Sequence, residues 1–366
     1  MIWILVLSFC GSALVTLMVV ASSHRHGQWS ADHDLAGPQK MHSQPVPRVG
    51  GIGLAVGILA GGVTLVVVQP NLWRAIALLG LCAAPTLAVG LAEDITKAVQ
   101  PRWRLLAPAL SGLLGAFLVK AVLVRTGWHW FDASFVYPGI ALLLTMFTSS
   151  GVVNSFNIID GMNGLASMCA ALMLSALAYI ALRVDDTLVG GLALSAAGAA
   201  LGFFIWNYPR GLIFLGDGGA YLLGLVVVEL GLMTVYRDPA VSPLAPVMVV
   251  MYPVFETLFT MYRRKVLRGR PVSLPDGIHL HSLIYRRLMR WAVGSDARAA
   301  LTLGNSMTSP FLWVLTSVSV VPAAIWWNNT PMLAVSMAVF VIVYLRVYWQ
   351  LVRFKTPWWM TTLSGR

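Results

Sequence analysis

The stretch LIFLGDGGAYLLGLVVVELGLMTV, residues 212–235, opens with one acid among glycines and continues as a nearly unbroken apolar run. About 20 helical residues rising 1.5 Å each cross a hydrocarbon core of about 30 Å. The stretch therefore reads as a membrane span that carries a polar string, FLGDGG (214–219), at its start. On either side of it, similar runs lie near residues 1–21, 49–69, 72–91, 105–124, 136–153, 163–182, 187–206, 241–261, 309–327 and 331–352. They predict an all-α polytopic integral membrane protein with about eleven transmembrane helices. Of 366 residues, 58% are hydrophobic and 11% charged, where a soluble domain has about 25% charged, so an ordinary soluble enzyme is excluded. The first run lacks a basic n-region and a small-x-small cleavage site, which makes it a retained span and not a signal peptide. Residues 1–366 are expected to form a single transmembrane domain with a long loop at about 262–308.

Lys and Arg orient the bundle, because short cytoplasmic connections carry the excess of basic residues. One alternating set of connections, including 22–48, 92–104, 207–211, 262–308 and the C-terminal tail, holds 19 of the 25 Lys and Arg. This predicts an N-terminus outside and a C-terminus in the cytoplasm. The net charge of +11 follows that topology, so nucleic acid is not an expected partner. A cluster within the long loop, Arg263, Arg264, Lys265, Arg268, Arg270, Arg286, Arg287 and Arg290, is a candidate for meeting anionic lipid or phosphate. Cys10, Cys82 and Cys169 fall inside apolar runs without metal spacing and read as small hydrophobes.

Four polar strings stand out: AEDITK (92–97), NSFNIIDGMNGL (154–165), FLGDGG (214–219) and PDGIHLHS (275–282). All four fall in the basic set of connections, although their positions played no part in placing the spans. A transporter concentrates its polar groups near the midplane, whereas these collect at one surface. Glu93, Asp94, Asp160 and Asp217 are candidate cation ligands, since Mg²⁺ is usually held by one or two carboxylates plus substrate phosphates. For Asp217 the competing reading is an ordinary helix N-cap. Asn154, Asn157, Asp160 and Asn163 recur every three residues, so a helical or tight-turn path would bring them to one face, where amides can pair with a base, ribose or sugar. His279 and His281 suit diphosphate donors or a proton relay better than zinc, because no third soft ligand accompanies them. Glu229 and Glu256, within apolar spans, read as packing or cavity residues with no assigned chemistry.

At these residues the chain resembles the polyprenyl-phosphate N-acetylhexosamine-1-phosphate transferase family, glycosyltransferase family 4, which includes the phospho-N-acetylmuramoyl-pentapeptide transferases. HSQPVPRVGG (42–51) looks like the family's first inside loop, AEDITK stands where its paired aspartates occur, and NSFNIIDGMNGL, FLGDGG and HLHS match further motifs in order. The resemblance implies transfer of a sugar-1-phosphate from a UDP-sugar to undecaprenyl phosphate, with Mg²⁺ (or Mn²⁺), starting a cell-wall, lipopolysaccharide or O-antigen glycan. It implies catalytic roles for Glu93, Asp94 and Asp217, with Asp217 and Asp94 on the metal. Lys40, Lys97, Asn157, Asp160, Asn163, Asn207, His279 and His281 are the implied substrate-binding residues. Glu93, Asn163 and Ser282 depart from the usual Asp, Asp and His. A homodimer is compatible with the resemblance. The rival class is a transporter or flippase of lipid-linked sugars.

Overall fold

The computed structural model describes residues 1–32, 45–267, 269, 277–289 and 298–353. Its helices in chain order are α1 (Ile2–Ala21), α2 (Ser23–Ser30), α3 (Gly50–Val68), α4 (Trp73–Thr96), α5 (Pro101–Leu118), α6 (His129–Asp132), α7 (Pro138–Ile159) and α8 (Leu165–Arg183). They continue with α9 (Thr187–Asn207), α10 (Gly216–Arg237), α11 (Leu244–Val249), α12 (Met251–Tyr262), α13 (Leu280–Ile284), α14 (Arg298–Ile325) and α15 (Thr330–Val352). The only pairing of strands among the described residues is a two-residue antiparallel contact of Ala31–Asp32 with Val46–Pro47. The protein is an all-α polytopic membrane protein.

Each expected apolar run contains helix, but only nine helices among the described residues are long and apolar enough to cross a membrane. The two that differ have local causes. Where a span was expected at 105–124, α5 starts four residues earlier at Pro101, whose fixed φ and missing N–H suit a first helical turn. It then stops at Leu118, before Lys120 with its positive φ of 61°. Where a span was expected at 241–261, the helix is split at Val250 into α11 and α12. Pro253 has no N–H to give to the carbonyl of Val249, and the ladder breaks there.

Burial divides the helices into a hub and a lipid-facing shell. In α10, 94% of the apolar window is buried, against 22% in α1, and α10 packs on α3, α4, α7 and α8. Between helices already surrounded by hydrocarbon, association depends on close backbone approach and on hydrogen bonds more than on water release. The α1–α3–α9 contact shows this: Ser8, Ser12 and Thr16 on α1 recur every four residues and face Gly53, Gly57 and Gly61 on α3. Ser8 Oγ donates to Gly57 O at 2.7 Å and lies 2.5 Å from Ser195 O on α9. This packing anchors the start of α3, and with it the segment that enters the polar end of the bundle.

Candidate active site

The polar end is built around the first turn of α10. That helix begins after Leu215, which has no side chain able to cap it. The missing cap comes from α4, where Asp94 accepts from Asp217 N at 2.7 Å (Oδ1) and from Gly218 N at 2.9 Å (Oδ2). Both amides are among those a helix leaves unsatisfied, and the carboxylate also meets the positive end of the helix dipole. The approach needs glycine: a Cβ on Gly90 of α4 would lie 2.6 Å from Gly218 Cα, and one on Gly51 of α3 would lie 2.7 Å from Gly219 N. Asp217, second residue of the helix, is thereby released from the capping role that its position suggested.

Arg48 joins these acids. Its segment is pinned in extended fashion to residues 214–215, with Phe214 N donating to Pro47 O at 2.8 Å, Gly50 N to Phe214 O at 3.1 Å and Gly51 N to Leu215 O at 3.2 Å. The guanidinium then pairs with Asp217 Oδ1 through Nη2 and lies 3.4 Å from Asp94 Oδ1 through Nε. Asp217 Oδ2 is buried and has no hydrogen-bond partner among the described residues. Asp160, half-buried at the end of α7, completes the group: burial pushes its carboxyl up to about 7, with Arg48 pulling it down and Asp217 pushing it up.

Glu93 is turned away from this cluster, into the α4–α5 connection. Its Oε1 accepts from Arg104 Nη2 at 2.5 Å and its Oε2 from Val99 N at 2.9 Å. Lys97 is exposed at the end of α4 with a left-handed φ of 53°. The amide string does not form one face, because α7 ends at Ile159 and the chain turns. Asn154 Nδ2 donates to Ser150 O at 2.8 Å, and Asn157 is half-buried with no side-chain hydrogen bond among the described residues. Asn163, past the turn, is spent on α14 and the 207–211 connection: its N donates to Asn305 Oδ1 at 2.8 Å and its Nδ2 to Pro209 O and Ser306 Oγ, each at 3.2 Å. Asn207 is committed as well, accepting from Gly164 N and donating to Ile213 O at 2.7 Å. Lys40 and Asp276 lie outside the described residues.

A second group adjoins the first through Gly161, next to Asp160. A Cβ on Gly161 would lie 2.6 Å from His281 Nε2. Burial holds the His281 imidazole down at about 3, helped by His279 and opposed by Glu256. The His279 ring stacks on it with centroids 5.4 Å apart and 11° between planes. Behind His279 stands Glu256, which the sequence offered only as a packing or cavity residue: its Oε1 is 3.1 Å from His279 Nδ1. Arg48 and Glu256 are the residues that sequence reasoning passed over. Arg48 was visible in PVPRVGG as a charge beside glycines, whereas a Glu in an apolar run gave no hint of its partner. Of the basic loop cluster, Arg263 and Arg264 are buried, and Arg263 bonds to Ile278 O at 2.5 Å and to the Tyr348 hydroxyl. Arg268, Arg270 and Arg290 lie outside the described residues.

The model of glycosyl transferase family 4 matches residues 76–235, which include the AEDITK, NSFNIIDGMNGL and FLGDGG strings. The chain is 26% identical to the "Probable undecaprenyl-phosphate N-acetylglucosaminyl 1-phosphate transferase" of Bacillus subtilis (strain 168), over 95% of this chain and 91% of the relative. It is 30% identical to the decaprenyl-phosphate N-acetylglucosaminephosphotransferase of Mycolicibacterium smegmatis, over 75% of this chain and 70% of the relative. It is 31% identical to the phospho-N-acetylmuramoyl-pentapeptide-transferase of a Synechococcus strain, over 62% of this chain and 67% of the relative. With such identity spread across most of both chains, and with the acids around α10 inside the matched residues, this multi-pass membrane protein belongs to glycosyl transferase family 4 and is a transferase.

Proposed function

We propose that the protein transfers an N-acetylhexosamine-1-phosphate from a UDP-sugar to undecaprenyl phosphate on the cytoplasmic face of the inner membrane, as one domain spanning residues 1–366. The observation that carries this reading is the buried, unpartnered Asp217 Oδ2 at the first turn of α10, beside Arg48 and Asp160. An oxygen of the acceptor phosphate attacks the β-phosphorus, the bond to the α–β bridging oxygen breaks, and UMP leaves. The acceptor has a second pKa of about 6 and is mostly a dianion at neutral pH, so a strong general base is not required. That agrees with Glu93, whose two oxygens already hold Arg104 and Val99.

The donor set fits Mg²⁺. Among the described residues no group of three or more His, Cys, Asp or Glu is arranged to hold a metal, but Mg²⁺ is commonly bound by one or two carboxylates together with substrate phosphates. Asp217 would hold it through the unpartnered oxygen, while Asp94, occupied with the α10 amides, keeps Asp217 in place. When bound, the cation supplies positive charge against the diphosphate. Arg48 adds a fixed positive charge at the same place and acts on Asp160, and Asp160 and Asn157 are assigned to the nucleotide-sugar. Lys40, Lys97, His279 and His281 are assigned to the diphosphate.

The test is purified protein in detergent with undecaprenyl phosphate, Mg²⁺ and a panel of UDP-sugars radiolabelled in the sugar. Lipid-linked product and UMP are expected without a sealed vesicle or gradient, which a flippase would need. Asp217→Asn keeps size but deletes the charge and should lower turnover by roughly 100-fold or more, with unchanged elution and melting. Wild-type turnover at full rate in chelator would overturn the metal assignment.

A further inference from the structure

Glu256 stands on α12 in an apolar run and is 1% exposed. A carboxylate in such surroundings costs several kcal/mol unless its oxygens are met. Both are met. Oε1 accepts from Leu280 N at 3.2 Å and lies 3.1 Å from His279 Nδ1, while Oε2 accepts from the Tyr344 hydroxyl of α15 at 2.6 Å. Thr260 Oγ1, one turn along α12, lies 3.3 Å from the same His279 nitrogen. Phe255 and Phe259 pack edge-on against Tyr344, the tyrosine that bonds the acid, and Phe259 packs edge-on against Tyr348 as well. Arg263 fixes the approach of the chain by bonding Ile278 O, one residue before His279.

Packing alone would not select this arrangement. An apolar residue would fill the space without three converging donors, whereas a carboxylate here carries a desolvation cost that those donors offset. A carboxylate on one imidazole nitrogen sets which tautomer the ring adopts and presents the other nitrogen to a ligand. Among the described residues nothing hydrogen-bonds His279 Nε2. The ring stacks on His281, and His281 borders the Gly161 turn beside Asp160, so the pair adjoins the acidic cluster.

We infer that Glu256 is a positioning residue for the transferase reaction: it accepts the hydrogen bond of His279 Nδ1–H, presents Nε2 to the diphosphate, and offsets the positive charge of the ring when Nε2, protonated from solvent, donates to a diphosphate oxygen. This rests on the function proposed above. The two stacked imidazoles then differ in how they are held. His279, backed by the acid, meets the phosphate through Nε2, and His281, with no carboxylate hydrogen-bonded to its ring among the described residues, comes to the same diphosphate from the turn that carries Asp160.

The experiment compares Glu256→Gln with Glu256→Asp in the full-length protein. Gln keeps the shape and one acceptor oxygen but no charge, whereas Asp keeps the charge and shortens the reach. The expected order of kcat is Glu above Asp above Gln, with Gln lower than wild type by about 10- to 100-fold and the donor KM little changed. Gln close to wild type with Asp far below it would mean that only shape matters, and would overturn the inference. A second measurement needs neither substrate nor variants of Glu256. In wild-type protein with ¹⁵N-labelled histidine, the His279 signal, identified by its loss in His279→Gln, should report a proton on Nδ1. A proton on Nε2 with none on Nδ1 would overturn the assignment. If wild type turns over no UDP-sugar, the functional reading fails while the nitrogen signal still decides the hydrogen bond.

Discussion

His281 shows how far a residue's setting can move its chemistry from what its type suggests. Unfolded, it takes a proton near its ordinary value of 6.5; folded, it stays neutral down to about 3 because burial outweighs the attraction of Glu256. Between those values the unfolded chain binds more protons, so this residue makes stability rise with pH across the window and lowers it as the solution is acidified. Replacing it by Asn, which does not titrate there, should flatten the fall in melting temperature of the detergent-solubilised protein between pH 7 and 4. An equal fall in both proteins would show that His281 is not the source. The same lesson holds for the amides. Asn163 and Asn207 were legible as unusual polar residues near span ends, but the loops they hold in place were not, because their partners at Pro209, Asn305, Ser306 and Ile213 lie on other elements.

Among elements, α10 matters most, because its first turn is built by its neighbours. Asp94 of α4 caps it and Gly51 and Gly90 allow α3 and α4 to touch its backbone. A methyl at Gly90 would meet Gly218 Cα at 2.6 Å, and backbone cannot step aside as a flexible side chain can. Gly90→Ala should therefore cost about 1–3 kcal/mol of stability, the usual penalty of overpacking, and lower turnover by about 10-fold or more by moving Asp217. Melting and turnover of the purified variant check this, and full activity would show that α10 has more freedom than its packing indicates. The split between α11 and α12 was less legible. Pro246 and Pro253 were visible in the run, yet hydropathy alone joins the two pieces, since it registers greasiness and not the carbonyl of Val249 left without its donor.

For the whole molecule the question is which end of the bundle faces the cytoplasm. One helix, α9, separates Asp185 from Asn207, so the two mark opposite ends. A reporter active only outside the cytoplasm should signal when fused after Asp185 and stay silent when fused after Asn207. Signal at Asn207 would reverse the orientation and withdraw cytoplasmic UDP-sugar from the acidic cluster. At the Asp185 end, two of the few basic residues are engaged in holding the ends of elements. Arg237 pairs with Asp186, and Arg125 donates to Val235 O at 3.2 Å, Asp238 O at 3.0 Å and Val241 O at 2.7 Å. That leaves the sequence-wide charge bias as the physical basis of the orientation.

Sequence alone determined that the chain is helical and membrane-embedded, because about 20 apolar residues in a row can satisfy their backbone within a bilayer only as a helix. It also determined that the acids and histidines sit at one end, since alternation of spans fixes which connections share a face. Tertiary structure decided what each polar residue does there. Asp94 caps another helix, Glu93 holds a loop, Asp217 keeps an oxygen unengaged and Glu256 stands behind His279. Those roles depend on contacts at about 3 Å between residues as much as 124 positions apart, and one-dimensional spacing carries no information about such distances.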